Sequence, residues 1–162
     1  MPIQKCSIFL VLSMIFELVY RNLNQEDSEN LYSLWKSHGQ IPEECEAEDP
    51  GEYMARCSSR VFFLVKGYDG EIQGSAGIYD RPDGLYFSTF VSPEASGTAA
   101  LGTSLMVKTR DIVLGKNLSD TFKVELANKR LEGPGFTNEL KKNGFTCDGR
   151  NSEGLMVWSY RK

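Results

Sequence analysis

A segment of small and polar residues separates a strand-like stretch from a long helix-like stretch. The strand pattern ends at Val91-Ser92-Pro93, and the segment Ser96–Leu105 follows it. The small or hydroxylic residues that open this segment are Ser96, Gly97, Thr98, Ala100 and Gly102. Unpaired backbone N–H groups at a helix start, together with the helix dipole, bind anions. The segment therefore indicates either an anion site or a plain connection whose small residues allow tight packing.

The single histidine, His38, follows a helix-like stretch. A histidine in that position ordinarily lies at the surface or places charge at the negative end of the helix dipole. Catalysis is its less common role, and no Ser–His–Asp or Cys–His arrangement follows from residue positions alone.

The composition fits one domain. The chain has 162 residues, of which 41% are hydrophobic, and its net charge is −4. That length and hydrophobic fraction support a single core, and no nucleic acid partner is expected because no broad basic field is present. The four cysteines form no Cys-x-x-Cys pair, so we expect free thiols in a reducing compartment and no metal site.

Residues 1–15 are expected to form an N-terminal extension or arm. Lys5 precedes the apolar run Ile8–Leu12, which resembles a short signal peptide, but no small-x-small cleavage motif follows and Glu17 interrupts the pattern. The run is far shorter than the about 20 apolar residues of a membrane span. We therefore expect a buried first strand behind an extension, and no membrane partner.

Hydrophobic periodicity and turn residues predict the element order β-α-α-β-β-β-α-β-α-β-β. Asn24 is predicted to cap the first helix, and a turn is predicted at Asp148–Asn151. The other helices are predicted at Glu52–Cys57, Ala99–Leu114 and Thr137–Asn143. The predicted strands are Phe16–Arg21, Val61–Val65, Glu71–Tyr79, Leu85–Val91, Phe122–Leu126, one beginning at Gly144-Phe145, and Leu155–Tyr160.

This order resembles that of the GNAT acyltransferase superfamily. Val91-Ser92-Pro93-Glu94 and the small-residue loop are similar to the family's cofactor motif, and Asn143-Gly144-Phe145 is similar to its late Leu-Gly-Phe motif. The resemblance spans about Phe16 to Tyr160 and implies a single domain over residues 16–162. The implied fold class is α/β (α+β), with a mixed sheet, an antiparallel meander, a central cofactor helix and splayed parallel strands.

The resemblance implies acetyl-CoA as the cofactor. The family holds the thioester on the backbone of the third meander strand, here Phe90 and Val91. It holds the pyrophosphate on the loop, here Ser96, Gly97, Thr98, Ala100 and Gly102.

Two loop positions depart from the family pattern. Gly97 stands where the family has Arg or Gln, and Ala100 stands where it has its first glycine. No basic side chain occurs from Ser92 to Met106. Because a charge-assisted hydrogen bond contributes about 1.5–3 kcal/mol, its loss is expected to weaken cofactor binding about tenfold to a hundredfold.

Amine acetylation needs a base for the amine and benefits from an acid for the leaving thiolate. The family's acid is often a tyrosine at a position that is Leu140 here, so Tyr160 or Tyr86 is expected to replace it. The third meander strand lacks the family's carboxylate, so Glu125 is the candidate base. The alternative for Glu125 is an outward strand residue.

Two functions fit this reading. The first is a cytoplasmic N-acetyltransferase that acts on a cationic amine or a lysine side chain, since the acidic segment Glu43–Glu52 would attract such a substrate. A solvated acidic loop explains the same segment. The second is a catalytically inactive GNAT-fold component of a larger assembly, such as a viral particle, in which the arm contacts another copy or an assembly partner.

Overall fold

The computed structural model describes residues 14–94 and 99–162. The run Ile8–Leu12 and the loop residues Ser96, Gly97 and Thr98 lie outside the described residues. The described strands are β1 (Ile15–Leu18), β2 (Val61–Lys66), β3 (Ile72–Arg81), β4 (Gly84–Val91), β5 (Thr121–Leu126), β6 (Thr146–Arg150) and β7 (Met156–Arg161). The described α-helices are α1 (Gln25–Ser37), α2 (Pro50–Cys57), α3 (Ala99–Gly115) and α4 (Pro134–Lys142).

Within the described residues, the strands form one mixed sheet in the order β1-β2-β3-β4-β5-β7-β6. The β1–β2, β2–β3, β5–β7 and β6–β7 pairs are antiparallel. β4 and β5 are parallel, with Tyr86 opposite Lys123. The α/β class and the order of the helices and strands are as predicted.

The described chain forms two compact units. The first comprises residues 14–77 and 89–94, and the second comprises residues 78–88 and 99–162. β3 and β4 contribute residues to both units. No helix within the described residues is both long and apolar enough to cross a membrane.

The core of the first unit is formed by α1, α2 and the strands they cover. Asn24 accepts a hydrogen bond from the Asp27 backbone N–H at 2.8 Å, which confirms the predicted N-cap of α1. α1 ends at Ser37, and Gly39 follows with φ +66°. The buried residues of this core are Leu31, Tyr32, Ile41, Tyr53, Met54, Val61, Leu64 and Ile72.

The first strand is shorter than predicted, and its end residues Ile15 and Leu18 are exposed rather than buried. It ends at Leu18 rather than Arg21, because Tyr20 and Arg21 have φ values of 34° and 65°. The backbone N–H groups of Val19 and Tyr20 both donate to the carbonyl oxygen of Phe62. The Arg21 backbone N–H still donates to the Val61 carbonyl oxygen at 2.8 Å, so these left-handed residues end the regular ladder while the chain stays hydrogen-bonded to β2.

The core of the second unit lies where α3 and α4 cover its strands. Its fully buried side chains include Leu105, Met106, Val113, Phe122, Leu126 and Leu140. α4 begins at Pro134 instead of Thr137, with proline at a helix start where its missing N–H has no intrahelical partner to lose.

The predicted turn at Asp148–Asn151 was wrong. Asp148 to Arg150 continue β6, because Gly149, at φ +94°, adopts a positive-φ conformation that glycine permits. The turn begins instead at Asn151, whose side chain accepts hydrogen bonds from the backbone N–H groups of Glu153 and Leu155.

Two glycines in β3 lie against neighbouring backbone. A Cβ at Gly77 would overlap the carbonyl oxygen of Arg60, next to the irregular β2–β3 register around Phe62. A Cβ at Gly74 would overlap the carbonyl oxygen of Phe90 and approach Val91 Cα to 2.8 Å. Both neighbours are backbone and cannot move aside as a side chain would, so β3 requires glycine at these positions.

We expect Gly77→Ala to lower the free energy of unfolding by about 3 kcal/mol, the upper end of the usual cost of overpacking. Gly135→Ala is the matched control, because a Cβ at this α4 position meets no atom within 4 Å. Its better helix propensity should make it neutral or stabilising by up to about 1 kcal/mol. Urea unfolding of both variants checks this, and equal stability would contradict the close approach at Gly77.

Candidate active site

The end of β4 is anchored at its backbone. The Ser92 backbone N–H donates to the Gln73 carbonyl oxygen at 2.7 Å, and the buried Ser92 hydroxyl donates to Gln73 Oε1 at 2.9 Å. Two residues earlier, Phe90 and Val91 lie against Gly74. The strand segment predicted to position a thioester is thus fixed on its β3 side.

His38 lies beside this segment, at the C-terminal end of α1. Its ring centroid is 5.4 Å from that of Phe90. Its Nδ1 is 3.0 Å from the Leu34 carbonyl oxygen and 3.0 Å from the Ser37 hydroxyl. The Ser37 hydroxyl donates to the same carbonyl oxygen at 2.9 Å, so these contacts together favour the tautomer with the ring proton on Nδ1 and the lone pair on Nε2.

Nε2 of His38 lies near a carboxylate. It lies 4.0 Å from Glu94 Oε2, in the turn after β4, and the His38 side chain is 26% exposed. The Glu94 side chain is largely exposed. The first unit therefore combines an imidazole lone pair, a nearby carboxylate and the end of β4. The sequence indicated the helix-end position of His38 but carried no signal for its contact with Phe90.

A cavity of about 400 Å³ lies between α1 and α2 in the same unit. Glu29 and Asp49 supply carboxylates to its lining, and Tyr32 and Met54 supply buried apolar surface. Asp49 also caps α2 by accepting from the Glu52 backbone N–H at 3.1 Å. The predicted acidic segment therefore contributes one carboxylate to a concave surface.

The start of α3 belongs to the second unit. Ala100 and Gly102 lie in its first turns, and this helix has no acidic residue in its first turn. A Cβ at Gly102 would meet no atom within 4 Å, so the backbone is accessible there. These features are compatible with an anion at the helix start.

Glu125 is held by two partners on β5's polar side. Arg81 donates two hydrogen bonds to its two carboxylate oxygens, at 2.6 and 3.1 Å. Asn151 Nδ2 donates a third at 2.7 Å, and the Glu125 side chain is only 9% exposed. Hydrogen bonding to Glu125 raises the pKa of the Arg81 guanidinium. The geometry is that of a structural ion pair with both carboxylate oxygens engaged.

Two tyrosines surround this ion pair. The Arg81 guanidinium lies over the rings of Tyr79 and Tyr86, 5.0 and 4.7 Å from their centroids. Burial, followed by the hydrogen bond that its hydroxyl donates to Asp83, raises the pKa of Tyr86 to about 12. Burial also raises the pKa of Tyr79. Both phenols are therefore protonated at neutral pH.

Tyr160 is held by contacts on the side of the sheet that faces α3. The Arg110 guanidinium lies 4.5 Å from its ring centroid and donates to the Asn143 carbonyl oxygen at the end of α4. Gly144, at φ +85°, lies directly against the ring, and a Cβ there would be 2.8 Å from it. The Phe145 ring also contacts Tyr160, with centroids 5.7 Å apart. The late Asn-Gly-Phe motif therefore forms the surface against which the Tyr160 ring packs.

The two predicted catalytic residues lie on opposite faces of the sheet. Tyr160 is directly opposite Phe122 in the β5–β7 ladder, and directly opposed residues share a face. Glu125 is three residues from Phe122, so strand alternation places it on the other face. Phe90 and Val91 belong to the first unit. The structure does not bring Glu125 and Tyr160 together, and their catalytic roles stay predictions.

Solved acetyltransferases, one of them named as a member of the GNAT family, share this fold over nearly the whole chain. Spermidine N-acetyltransferase from Vibrio cholerae in complex with CoA and spermine is similar, with a TM-score of 0.62 and 13% identity, over 93% of this chain and 96% of that chain. A dodecameric structure of the same enzyme has a TM-score of 0.63 and 12% identity, over 93% and 94% of the two chains.

An acetyltransferase from Agrobacterium tumefaciens is also similar, with a TM-score of 0.60 and 13% identity, over 92% of this chain and 91% of that chain. No protein-family model matches the chain, and no curated protein sequence matches it. At these identities the likeness establishes the GNAT fold.

We expect Arg81→Gln to lower the free energy of unfolding by about 2 kcal/mol, because it leaves the Glu125 carboxylate buried without its cation. The value lies below that of fully buried pairs because about a third of the Arg81 side chain is exposed. Arg150→Gln is the control, since Arg150 is 54% exposed in its pair with Glu132, and solvent screening should make its loss clearly smaller. Urea unfolding distinguishes them, and equal losses would contradict a structural role for the Arg81–Glu125 pair.

Proposed function

We propose that this protein transfers the acetyl group of acetyl-CoA to the nitrogen of a cationic amine. The observation that carries the proposal is a GNAT fold whose β4 strand ends in a segment anchored at Gly74, Gln73 and Ser92. Enzymes of similar structure carry the name N-acetyltransferase, and the one with CoA and spermine covers nearly the whole chain.

The chain offers two segments for the cofactor. The backbone of Phe90 and Val91 would position the thioester, and the start of α3 would hold the pyrophosphate through Ser96, Gly97, Thr98, Ala100 and Gly102. The accessible backbone at Gly102 and the lack of acidic residues in the first turn of α3 support the second assignment. When bound, acetyl-CoA supplies an activated acetyl group, so that an N–C bond forms, the C–S bond breaks and the thiol leaves.

The amine is proposed to be a polyamine or another cationic amine. The net charge of −4 and the carboxylates of Glu29 and Asp49 in the α1–α2 cavity favour a cation. The presence of spermine in a structural neighbour supports the same class of substrate. A lysine side chain has the same terminal ammonium group and is the alternative acceptor.

Tyr160 remains our proposed proton donor to the leaving thiolate, with its ring fixed by Arg110 and Gly144. Glu125 is less suited to act as the base, since Arg81 and Asn151 occupy its oxygens. A structural role for Glu125 fits these contacts better.

The second candidate is an inactive component of a larger assembly. The observation in its favour is the edge strand β1, where Ile15 and Leu18 are 57% and 60% exposed. Exposed apolar side chains on an edge strand are a common feature of surfaces that contact another chain. The two candidates differ in whether the protein binds acetyl-CoA.

We expect acetyl-CoA to raise the Tm of the full-length chain. Ligand at about 100 times its Kd adds about 2.7 kcal/mol of stability, which corresponds to a rise of roughly 5–10 °C for a chain of this size. ATP at the same concentration is the control, because it carries an adenine nucleotide and phosphates without the pantetheine arm. Absence of a shift, or an equal shift with ATP, would contradict the enzyme proposal and favour the assembly component.

We expect Glu29→Gln to raise the KM for spermidine about two- to fivefold with little change in kcat, because one partly screened carboxylate contributes up to about 1 kcal/mol to attraction of a cation. Glu71→Gln removes the same charge from an exposed hairpin residue outside the cavity and should leave KM unchanged. Mass spectrometry of acetylated spermidine measures both. An equal effect of the two variants would contradict a role for the α1–α2 cavity.

A further inference from the structure

We propose that His38 is the general base that removes a proton from the acceptor ammonium. The proposal rests on the proposed acetyltransferase function and assigns the base to a residue other than the sequence candidate Glu125. The third meander strand has no carboxylate, and Glu125 is engaged by Arg81 and Asn151. The His38 ring lies next to Phe90, and Phe90 belongs to the segment proposed to position the thioester.

The two nitrogens of the His38 ring have different surroundings. A hydrogen bond from Nδ1 to the Leu34 carbonyl oxygen, which also accepts from the Ser37 hydroxyl, places the ring proton on Nδ1. The free lone pair is then on Nε2, which has no hydrogen-bond partner among the described residues: its distance to Glu94 Oε2 is 4.0 Å. A helix cap explains the contact of Nδ1 but leaves Nε2 unused.

A negative charge lies close to the His38 ring. Glu94, in the turn after β4, is the carboxylate opposite Nε2, and Lys36 is the nearest cation along α1. The negative end of the α1 dipole also lies at His38. Both the carboxylate and the dipole attract an approaching ammonium group and then stabilise the imidazolium that forms.

The proton transfer from the substrate ammonium to the imidazole conserves atoms and charge and needs no other reactant. Nε2 of the neutral imidazole uses its lone pair to bind one proton of the substrate ammonium, and the N–H electron pair remains on the amine. The amine becomes a neutral nucleophile, while the ring becomes an imidazolium facing Glu94. In water an alkylammonium is a weaker acid than an imidazolium, so the transfer assists the reaction when the amine attacks the thioester as its proton leaves.

The ring can be tested without the cofactor, because His38 is the chain's single histidine. In protein labelled with ¹⁵N and carrying no histidine tag, a long-range ¹H–¹⁵N spectrum shows the signals of this ring alone. We expect the neutral ring to be protonated at Nδ1, and we expect spermidine to shift the Nε2 signal. A neutral ring protonated at Nε2, or a signal that spermidine leaves unchanged, would overturn the proposal.

The kinetic test uses His38→Gln, whose side-chain amide can still donate a hydrogen bond but has no basic nitrogen. We expect kcat for spermidine to fall at least about 100-fold and the Tm shift with acetyl-CoA to remain. The difference in kcat between the wild type and His38→Gln should become smaller at high pH, where the amine is deprotonated in solution. Glu71→Gln, which changes an exposed hairpin residue, should keep the wild-type kcat.

The outcomes separate the two proposals. A wild-type protein that transfers no acetyl group overturns the proposed function, and with it the role of His38 as a base. Transfer by the wild type that His38→Gln retains within about threefold overturns the role of His38 alone. Loss of the acetyl-CoA Tm shift in His38→Gln would assign the residue to cofactor binding and would also contradict the proposal.

Discussion

The close approach of β3 to its two neighbouring strands is the constraint on which the first unit depends. At Gly77 the β2 side is occupied by the Arg60 carbonyl, and at Gly74 the β4 side is occupied by Phe90 and Val91. Backbone takes up the space that a side chain would need, so both approaches depend on glycine. The position of Phe90 follows from the second approach. Through Phe90, the same constraint defines the surface against which the His38 ring lies.

The second unit is organised by polar contacts on one side of its strands and an aromatic cluster on the other. Arg81 and Asn151 converge on Glu125, which is 44 residues from Arg81 in sequence. On the other side, Phe122, Phe145 and Tyr160 form successive ring contacts under α3 and α4. Because strand alternation separates these sets, one side has the contacts of a structural ion pair and the other presents a fixed tyrosine.

The order of elements could be predicted from the sequence, since it depends on local periodicity, capping and turn residues. Asn24 is an example: its cap on α1 requires contact only with Asp27. The turn predicted at Asp148–Asn151 failed because Gly149 serves there as a strand bulge, and only pairing with β7 distinguishes these roles. The partners of Glu125 and His38 could not be predicted, because Arg81 and Phe90 are distant in sequence and no local pattern records such contacts.

The packing of Gly144 against the Tyr160 ring also limits which residues can occupy these two positions. Gly144 has φ +85°, and a Cβ at this position would be 2.8 Å from the Tyr160 ring. Glycine is therefore favoured here for two independent reasons, a dihedral demand and a steric demand. Replacing Tyr160 by a smaller residue would remove the steric demand and leave the dihedral one. Asparagine, which tolerates a positive φ, would then become acceptable at 144 only together with a smaller residue at 160. The two positions are therefore expected to vary together, and mutations at them should have non-additive effects on stability.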